Sequence, residues 1–586
     1  MNSRAVLLLS VLLGCSDAAA PSALSSLDGV WDYTGDRSID GTPSSTCSDT
    51  GTFTFKKTDL GWAGLVQSVE SCRSGALVTS LSNTDSIVSG ASTGQRFTFV
   101  RRSLGRNCAD TAFAGSADPN SLSGTEHCDN SVVIWHAVRG GPLTSIDIVP
   151  ASLLTVPGDR RTLELVMRTA AGRRVFGRFV AWSSARADVA SAALGELTAL
   201  SAGSTTISAT AEGKTATTSV TVLAPSALVA VAAGDGFTCA LSADQRPYCW
   251  GLVPPSGRST IPVPVQSSPA LTSIASSEHS VCGISIAHEV WCWGRNDSGQ
   301  LGIGTTSDTA SPARVQANGR TFTSVTSGGD HSCALAADGH AWCWGANAQG
   351  QLGTSSLSSS LVPVAVTGGY KFTALSAGDA HTCGIAAGGA LYCWGGNADG
   401  QLGDGTTTNR SAPTLVQGSH NFQSVSLGFA HTCAIAVGGA VWCWGRNNVG
   451  QFGNGATTSV GYPVPAANGL VLASISASLN YGCGVTTTGD LWCWGFKGTG
   501  VWGQLGDGGQ TGSALPVRVS GALTWASVAT GVYLYSDEST NAGTAAQTCG
   551  VTTTGVTWCW GNNLVGQLGV GSQTASYVPV RVSGQP

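Results

Sequence analysis

The chain has 586 residues, of which 79 are glycine and only 11% are charged, and its formal net charge at pH 7 is −5. This length exceeds what one compact core can fill, so several domains or a repeat array are expected. The weak charge excludes a basic surface that would attract nucleic acid or an anionic membrane. Abundant glycine, serine and threonine favour short strands and turns, so an all-β fold is expected.

The first residues predict an export signal. Arg4 precedes an apolar run, Ala5–Leu13, that is too short to cross a bilayer and is typical of the hydrophobic region of a signal peptide. The run ends in Leu12-Leu13-Gly14-Cys15, which resembles a bacterial lipobox. That resemblance implies a lipoprotein signal peptide over 1–14, lipidation of Cys15 and a small polar tether over 15–26.

An ordinary signal peptide cut near Ala18–Ala20 is the alternative to the lipobox. Under both hypotheses the mature chain lies in an oxidising compartment, where disulfides persist. We expect an outer-membrane or cell-surface lipoprotein that touches the membrane only through its lipid anchor.

Residues 27–140 are predicted to form a small β domain. “GTFTFKKT” (51–58) and “QRFTFVRR” (95–102) alternate apolar and polar residues as strands do. “LDGVWDYTGD” (27–36) resembles the first strand of a small lipocalin-like barrel. Four cysteines suffice for two disulfides, and their spacing leaves the pairing open. These cysteines are Cys47, Cys72, Cys108 and Cys128.

Residues 144–223 contain short alternating strands with turn signals between them, a pattern that predicts a β-sandwich. The segment resembles a bacterial immunoglobulin-like domain of group 2, from Pro150 through Trp182-Ser183-Ser184 to the closing strand Val220–Val222. The resemblance implies a surface spacer or an adhesive module. Ala224-Pro225-Ser226 then forms a short linker.

The remainder, 227–586, is a repeat array. The triplet Cys-Trp-Gly begins at 249, 292, 343, 393, 443, 493 and 559, so five of the six spacings lie between 43 and 51. A period near 50 that is rich in Gly, Trp and β-forming residues predicts a β-propeller. “GQLG” or “GQFG” follows every triplet except the first.

Fourteen of the 19 cysteines form seven pairs, each separated by ten positions. In “CALAADGHAWC” (333–343), Asp338-Gly339 predicts a three-residue hairpin loop that places Cys333 directly opposite Cys343. Facing residues lie within disulfide reach, whereas zinc and redox sites favour closer cysteine spacing. Seven structural disulfides are therefore predicted: Cys239–Cys249, Cys282–Cys292, Cys333–Cys343, Cys383–Cys393, Cys433–Cys443, Cys483–Cys493 and Cys549–Cys559.

Two further expectations concern the geometry of the array. Glycine holds the turn position of Gly339 in five repeats, but Gln245 and His288 stand there in the first two, so those two turns are expected to differ. A Pro-Val-like strand follows each triplet, and the last one, 577–583, is expected to complete the first blade and so bury both edges of the array.

“VSLGFAHTCAIAVGGAVWCWGRNNVGQFGNG” (425–455) resembles a repeat of the regulator of chromosome condensation family, of a bacterial secreted type. The resemblance spans seven repeats and implies a seven-bladed propeller. The family includes nuclear guanine-nucleotide exchange factors and a secreted bacterial inhibitor of β-lactamases, which act through protein contacts. It therefore implies a monomeric, non-enzymatic protein, without cofactor, that binds a protein or glycan on its loop face. Nucleotide exchange or enzyme inhibition is an alternative by the same resemblance; the export signal argues against a cytosolic GTPase partner.

Recurring side chains inside the repeats are interpreted as structural. His331, His381 and His431 repeat in register, which predicts hydrogen bonds between blades rather than a catalytic base, with a ligand site along one ring as the alternative. The tryptophan of each triplet is predicted to be core, and so is a second set two positions earlier, with sugar stacking as the alternative. This second set comprises Trp291, Trp342, Trp442, Trp492 and Trp558.

No catalytic residue, metal ligand or cofactor-binding motif is assigned, and we expect no enzyme. The rival hypothesis, a glycan hydrolase or lyase on a propeller scaffold, predicts acidic or histidine residues that converge from different blades onto one pocket.

The repeat breaks at two places, and these are the predicted partner site. Extra residues occur in “FKGTGVWGQLG” (496–506) and in 532–548. Loops of a propeller carry function, and aromatic residues beside acidic ones are typical of a contact surface. A neutral insertion is the alternative. The candidate contacts are Trp502, Tyr533, Tyr535, Asp537 and Glu538.

Overall fold

The computed structural model describes residues 29–585 except 40–44, 59–60, 75–76, 94–95, 104–110, 118–120, 129–130, 140–142, 173, 176–179, 254–256, 497–502, 532 and 536–542. The chain divides into two units. One comprises residues up to 153 together with 160–221, and the other comprises 154–159 and 222–586. No helix in the described part is long and apolar enough to span a membrane.

Eight antiparallel strands in the first unit pair in chain order and close into a barrel. The strand register places Cys47 of the second strand opposite Cys72 of the third, and Cys108 lies outside the described residues. The strands are β1 (Gly29–Ile39), β2 (Ser45–Thr58), β3 (Gly61–Ser74), β4 (Leu77–Thr93), β5 (Arg96–Ser103), β6 (Thr111–Ala117), β7 (Ser121–Cys128) and β8 (Ser131–Arg139).

Residues 143–222 form ten short strands in three sheets. The two longest strands alternate buried and exposed residues, with Ile207 and Val220 fully buried. The immunoglobulin-like assignment of this segment stays a prediction. The strands are β9 (Leu143–Val149), β10 (Ser152–Thr155), β11 (Arg160–Thr162), β12 (Glu164–Thr169), β13 (Arg174–Val175), β14 (Ala181–Ser184), β15 (Ala190–Ala193), β16 (Glu196–Ala199), β17 (Gly203–Ala211) and β18 (Lys214–Val222).

The second unit contains seven four-stranded antiparallel sheets, the blades of a propeller. The first strands of successive blades contact each other all the way round, and the first strand of blade seven contacts that of blade one. These first strands therefore surround the central axis.

Blades one to four contain β19 (Leu228–Ala233), β20 (Phe237–Ser242), β21 (Pro247–Val253) and β22 (Gly257–Pro264); β23 (Leu271–Ser276), β24 (Ser280–Ser285), β25 (Val290–Gly294) and β26 (Thr309–Arg314); β27 (Phe322–Ser327), β28 (His331–Ala336), β29 (Ala341–Gly345) and β30 (Ser360–Ala365); β31 (Phe372–Ala377), β32 (His381–Ala386), β33 (Leu391–Gly395) and β34 (Arg410–Leu415).

Blades five to seven contain β35 (Phe422–Leu427), β36 (His431–Ala436), β37 (Val441–Gly445) and β38 (Val460–Pro465); β39 (Leu472–Ala477), β40 (Tyr481–Thr486), β41 (Leu491–Gly495) and β42 (Ser513–Arg518); β43 (Trp525–Thr530), β46 (Gln547–Thr552), β47 (Thr557–Gly561) and β48 (Ser576–Arg581). A two-stranded hairpin, β44 (Tyr533–Tyr535) with β45 (Gly543–Ala545), interrupts blade seven. A 3-10 turn, Ala467–Gly469, follows β38.

The central hairpin of each blade has the predicted register. In blade three, Cys333 pairs with Cys343 and Leu335 pairs with Ala341. All seven cysteine pairs are disulfide-bonded, with Cα–Cα distances of 4.0 to 4.1 Å. Both cysteines of each pair are buried, so the bonds lie inside the blades and away from reductants in solution.

The expectation that the first two hairpin turns differ is wrong. Gln245 and His288 adopt the left-handed conformation, with φ of 64° and 59°, just as Gly339 does with φ of 87°. The same turn bond closes the hairpin in each case, from the N–H of Gln245 to the oxygen of Ser242 at 2.9 Å and from Gly339 to Ala336 at 2.9 Å. The strand pairing fixes the turn, and these two side chains accept a conformation that favours glycine.

The GQLG or GQFG motif joins each of blades two to seven to the blade that follows it. Blade one lacks the motif, and Nε1 of Trp293 in blade two is buried without a partner among the described residues. The backbone oxygen of Gln351 in blade three accepts a 2.9 Å hydrogen bond from Nε1 of Trp394 in blade four and another of 2.9 Å from the Thr382 hydroxyl. The second glycine of the motif, Gly353, has φ of +67°, and a Cβ there would lie 2.8 Å from the Trp394 ring nitrogen. The triplet tryptophans are fully buried at these seams, as predicted.

The expectation that 577–583 completes the first blade is wrong. The last strand, β48, pairs with β47 in its own blade, and blade one has its own fourth strand, β22. Each triplet is followed by one Pro-Val-like strand, so no strand is spare. The ring closes instead through the blade-seven motif, where the Gln567 oxygen accepts a 2.8 Å bond from Trp250 Nε1 of blade one.

Candidate functional site

The connections between the first and second strands of all seven blades meet on the axis and line one cavity of about 120 Å³. We call its opening, with the side chains that stand at it, the axial mouth. Small residues form most of the wall, such as Gly328, Gly378 and Gly428 of blades three to five. These glycines let the strand ends approach the axis closely, and they leave the larger residues that follow them to set the chemistry of the mouth.

The residue that follows this wall position differs from blade to blade. Asp235, Glu278 and Asp379 hold it in blades one, two and four, whereas Phe429 and Leu479 hold it in blades five and six. In blade three the position is a glycine, and the acidic residue Asp330 comes next. Among the residues that line the cavity, the axial mouth is therefore acidic at Glu278 and Asp379 and apolar at Phe429 and Leu479, and Asp235 and Asp330 lie close enough to Glu278 to add negative charge.

Burial and mutual repulsion perturb two of these carboxyl groups. Burial raises the pKa of Glu278 to about 7. The nearby carboxylates of Asp379, Asp235 and Asp330 reinforce this shift, and Arg295 opposes it. Burial, reinforced by Asp330, raises the pKa of Asp379 to about 6. Near neutral pH these two groups hold negative charge at an energetic cost, so a cationic ligand would relieve it.

The remaining acidic side chains have protein partners. Gln300 Nε2 donates a 3.2 Å hydrogen bond to Oδ1 of Asp330. Nδ1 of His279 lies 3.6 Å from Oδ2 of buried Asp235. In the described part of the chain no Lys, Arg or His forms an ion pair with Glu278 or Asp379, so these two carboxylates are the ones that a ligand could use.

Buried histidines lie directly behind the glycine wall. Nε2 of His331 is 2.8 Å from the Thr382 hydroxyl, and Nε2 of His381 is 3.0 Å from the Thr432 hydroxyl of the next blade. These contacts agree with the predicted packing role. Burial lowers the pKa of His331 to about 4 and that of His381 to about 3, so both rings are neutral at physiological pH.

The hydrogen-bond chain fixes the tautomer of His381. The Thr432 hydroxyl donates its proton to the Gln401 oxygen at 2.9 Å, so His381 must donate from Nε2. Its Nδ1 is then a lone-pair acceptor, and it is buried and without a partner among the described residues. This nitrogen lies against Gly378 of the cavity wall, where a Cβ would be 2.8 Å from it.

Other side chains replace histidine in blades six and seven. The Tyr481 hydroxyl donates a 2.7 Å hydrogen bond to the backbone oxygen of Gln547, and burial raises its pKa. The Gln547 side chain donates to the Gly234 oxygen of blade one at 3.0 Å. A belt of buried polar side chains thus runs behind the cavity and ends on the first blade.

The described residues that flank the two breaks in the repeat lie on the same face as the axial mouth. In each blade the second strand begins opposite the end of the third, as Tyr481 does opposite Gly495 in blade six. The connection between the first and second strands (the first connection) and the one between the third and fourth strands (the third connection) therefore lie on the same face. The extra residues of 496–506 belong to a third connection, and those of 532–548 belong to a first connection that starts at Gly531 in the cavity wall. The face that carries these connections is called the mouth face.

Of the five candidate contacts, Tyr533 and Tyr535 lie on strand β44, which pairs with β45. Trp502, Asp537 and Glu538 lie outside the described residues, as do Cys15, the predicted signal peptide and the tether. Sequence reasoning missed the residues of the axial mouth. Their signal was present: one position varies from acidic to apolar while the glycine before it and the histidine after it repeat.

The second tryptophan set, expected to be core, is only half-buried, and two of its five rings are covered by a neighbour. The Arg320 guanidinium lies 3.8 Å from the ring centre of Trp342, and the His420 ring centre lies 3.9 Å from that of Trp442. These contacts occupy ring faces on which a sugar would stack. Within the described ranges, no three His, Cys, Asp or Glu side chains are grouped as metal ligands.

Blades of this kind, linked by a Gly-Gln-x-Gly turn under a buried tryptophan, define a propeller of the RCC1 type. The protein-family model of the RCC1-like domain matches residues 193–535, which is more than half of the chain. The chain therefore belongs to the RCC1-like domain family.

Known proteins show the same likeness. The Ultraviolet-B receptor UVR8 of Arabidopsis thaliana is 40% identical over 80 residues, which are 13% of this chain and 18% of that protein. The chain thus spans less than a fifth of that relative. The crystal structure of Prp20p from Saccharomyces cerevisiae has 20% identity and a TM-score of 0.50, over 61% of this chain and 86% of that one. Human WBSCR16 has 20% identity and a TM-score of 0.48, over 56% and 87%. At these identities the solved structures show the fold alone.

Proposed function

We propose that this chain is an exported, lipid-anchored surface protein whose propeller binds a protein partner through the mouth face, without catalysis. The observation that carries the proposal is the convergence of three irregular features on one face. The described residues that flank both breaks in the repeat, and the variable residues of the axial mouth, support this face. A scaffold that repeats everywhere else and varies on one face is typical of a binding protein.

Two features favour a protein over a glycan as the partner. Two of the five half-buried tryptophans that could stack on sugars, Trp342 and Trp442, are covered by Arg320 and His420. The axial mouth combines carboxylates with Phe429 and Leu479, a mixture that suits a protein surface with basic and apolar residues. The solved relative Prp20p was crystallised in a study of its binding to Gsp1p and histones, which are proteins.

Capture from a cell-surface extract tests the mouth face. In the test variant, residues 532–546 are replaced by Asp-Ala, which copies the short connection of blade four between Gly531 and Gln547. The matched control is Val437→Ser, which alters a 70% exposed apolar side chain in a hairpin turn on the opposite face. We expect the variant to lose the partners that the wild type and the control retain. Unchanged partners on the variant would contradict the proposed site.

Export and anchoring have their own test. Mass spectrometry of the membrane-fraction protein should find a diacylglyceryl-modified Cys15 as the first residue. Cys15→Ala should release the chain from the membrane or leave it unprocessed. A mature terminus near Ala18–Ala20 would favour an ordinary signal peptide.

One observation favours the rival enzyme hypothesis. Acidic residues do converge from different blades onto one cavity, and the raised pKa of Glu278, to about 7, suits a general acid. The cavity of about 120 Å³ is nevertheless smaller than the roughly 300 Å³ at which small-molecule sites begin. Release of reducing ends from surface glycans by the wild type, abolished in Glu278→Gln and Asp379→Asn, would establish the enzyme. We expect equal background release from all three proteins.

A further inference from the structure

We propose that the axial mouth binds the side chain of one lysine or arginine of the partner protein, with an apolar neighbour of that residue against Phe429 and Leu479. This inference rests on the proposed function and names the chemistry that its site recognises.

The size of the cavity sets the scale of the ligand. A cavity of about 120 Å³ is well below the roughly 300 Å³ at which small-molecule sites begin, so it suits the end of one long side chain. Glycines, serines and alanines form most of the wall around this space. A single inserted side chain fits it, whereas a folded element does not.

Charge selects a cation. Glu278 and Asp379 come from blades two and four, and neither forms an ion pair within the described residues. Asp330, from blade three between them, adds negative charge, which Arg295 offsets in part. A guanidinium or ammonium group would be attracted by carboxylates on several sides, and it would remove the repulsion that they exert on each other.

A second feature lies behind the same wall. His381 is fully buried, its tautomer leaves a lone pair on Nδ1, and no described group donates to it. This nitrogen lies behind Gly378, which lines the cavity, whereas His381 itself does not line it. The lone pair adds to the negative potential at the wall, so a cation is favoured over an anionic ligand.

The apolar half of the mouth adds a requirement beyond charge. Phe429 and Leu479 line the cavity on the two blades that follow Asp379. Lysine and arginine have apolar stems, and a leucine or aromatic residue next to them would pack on these side chains. The predicted motif is thus a basic residue beside an apolar one, in an extended segment.

Selection of phage-displayed random dodecapeptides on the full chain tests this inference. The wild type is compared with the double variant Glu278→Gln/Asp379→Asn and with a control of equal charge change, Glu289→Gln/Asp490→Asn. In the control, both side chains pair with arginines, Arg314 at 2.7 Å and Arg518, at the hairpin turns of the opposite face. Thermal unfolding of all three proteins verifies that they are folded.

We expect at least threefold enrichment of Lys or Arg beside an apolar residue on the wild type and on the control, and loss of that enrichment on the mouth variant. Peptides without a basic residue, peptides that bind the mouth variant equally well, or no enriched peptides at all would overturn the inference. The proposed function would survive each of these results if surface partners still depended on 532–546. It would fail if they did not.

Discussion

Gly482 in blade six is equivalent to Thr432 in blade five, whose hydroxyl accepts the hydrogen bond of His381. His431 therefore faces a position without a hydroxyl, and both of its ring nitrogens lack partners among the described residues. This seam is the point at which the polar belt behind the axial mouth is broken.

Gly482→Thr should repair that seam. A Cβ there would have Trp494 Nε1 as its nearest atom at 3.3 Å. Thr382 and Thr432 occupy the same register position opposite the tryptophans of their own blades. The new hydroxyl should accept from His431, which stabilises the propeller by about 1 kcal/mol because a buried donor gains a partner. Scanning calorimetry measures the gain. Gly482→Ala, which lacks the hydroxyl, is the control and should show no such gain.

Gln245→Gly and His288→Gly should each stabilise the propeller. Both residues hold positive φ in exposed turns, and relief of that strain is expected to exceed the added freedom of the unfolded chain, by about 0.5–1 kcal/mol. The reverse change, Gly339→Gln, should destabilise by a similar amount. Chemical unfolding midpoints of the three variants provide the comparison, and a loss of stability in the first two would contradict the assigned strain.

Gly403→Ala should open a seam between blades. The added Cβ would lie 2.6 Å from Nε1 of Trp444 and displace the ring from its bond to Gln401. A cost of about 3 kcal/mol is expected from overpacking and the lost bond. The matched control is Gly388→Ala, which also has a positive φ, +92° against +70° for Gly403, but open space around it. Near-UV circular dichroism and unfolding temperature should separate the two, and equal losses would assign the effect to backbone strain alone.

Glu278→Gln should stabilise the protein at alkaline pH and have little effect at acid pH. The pKa of Glu278 is raised from 4.5 to about 7. Its contribution to the free energy of unfolding is therefore fully present below about pH 4.5 and is lost as the pH rises through 7. Above pH 7 the ionised side chain faces Asp379, Asp235 and Asp330, with Arg295 as the opposing cation, so glutamine should gain on the order of 2 kcal/mol. Unfolding temperatures at pH 5 and pH 8 measure this, and an equal gain at both would refute the shift.

The histidines should act in the opposite sense. Burial lowers the pKa of His431 to about 4, so its neutral form stabilises the fold fully above pH 6.5, and this contribution is lost as the pH falls through 4. His431→Gln, which places the residue of the equivalent position 547 in blade five, removes one titrating group. Between pH 7 and pH 5 the free energy of unfolding of this variant should fall less than that of the wild type, and the difference between the two falls should be about 2 kcal/mol. Parallel curves would show that His431 does not titrate in this range.

The features that repeat in every blade could be predicted from the sequence. The hairpin register, the seven disulfides and the buried triplet tryptophans follow from local turn chemistry and period, which act within one blade. Ring closure depends on how the Gln567 loop meets Trp250 more than 300 residues away, and the strand count alone led to the wrong closure. The axial mouth was missed because its residues are scattered along the chain, and only the ring brings Glu278 and Asp379 together. The left-handed Gln245 shows that pairing overrides local preference.

The absence of strand exchange gives the repeat a particular evolutionary freedom. Each blade is one continuous stretch of the chain, and the blade-seven loop binds blade one by the Trp250–Gln567 bond, which blades two to six also make with the blade that follows them. Duplication or replacement of a unit that carries the motif therefore preserves its seam. Chemistry at the axis can change one blade at a time, by a single codon after the wall glycine, while the rest of the gene stays as it was.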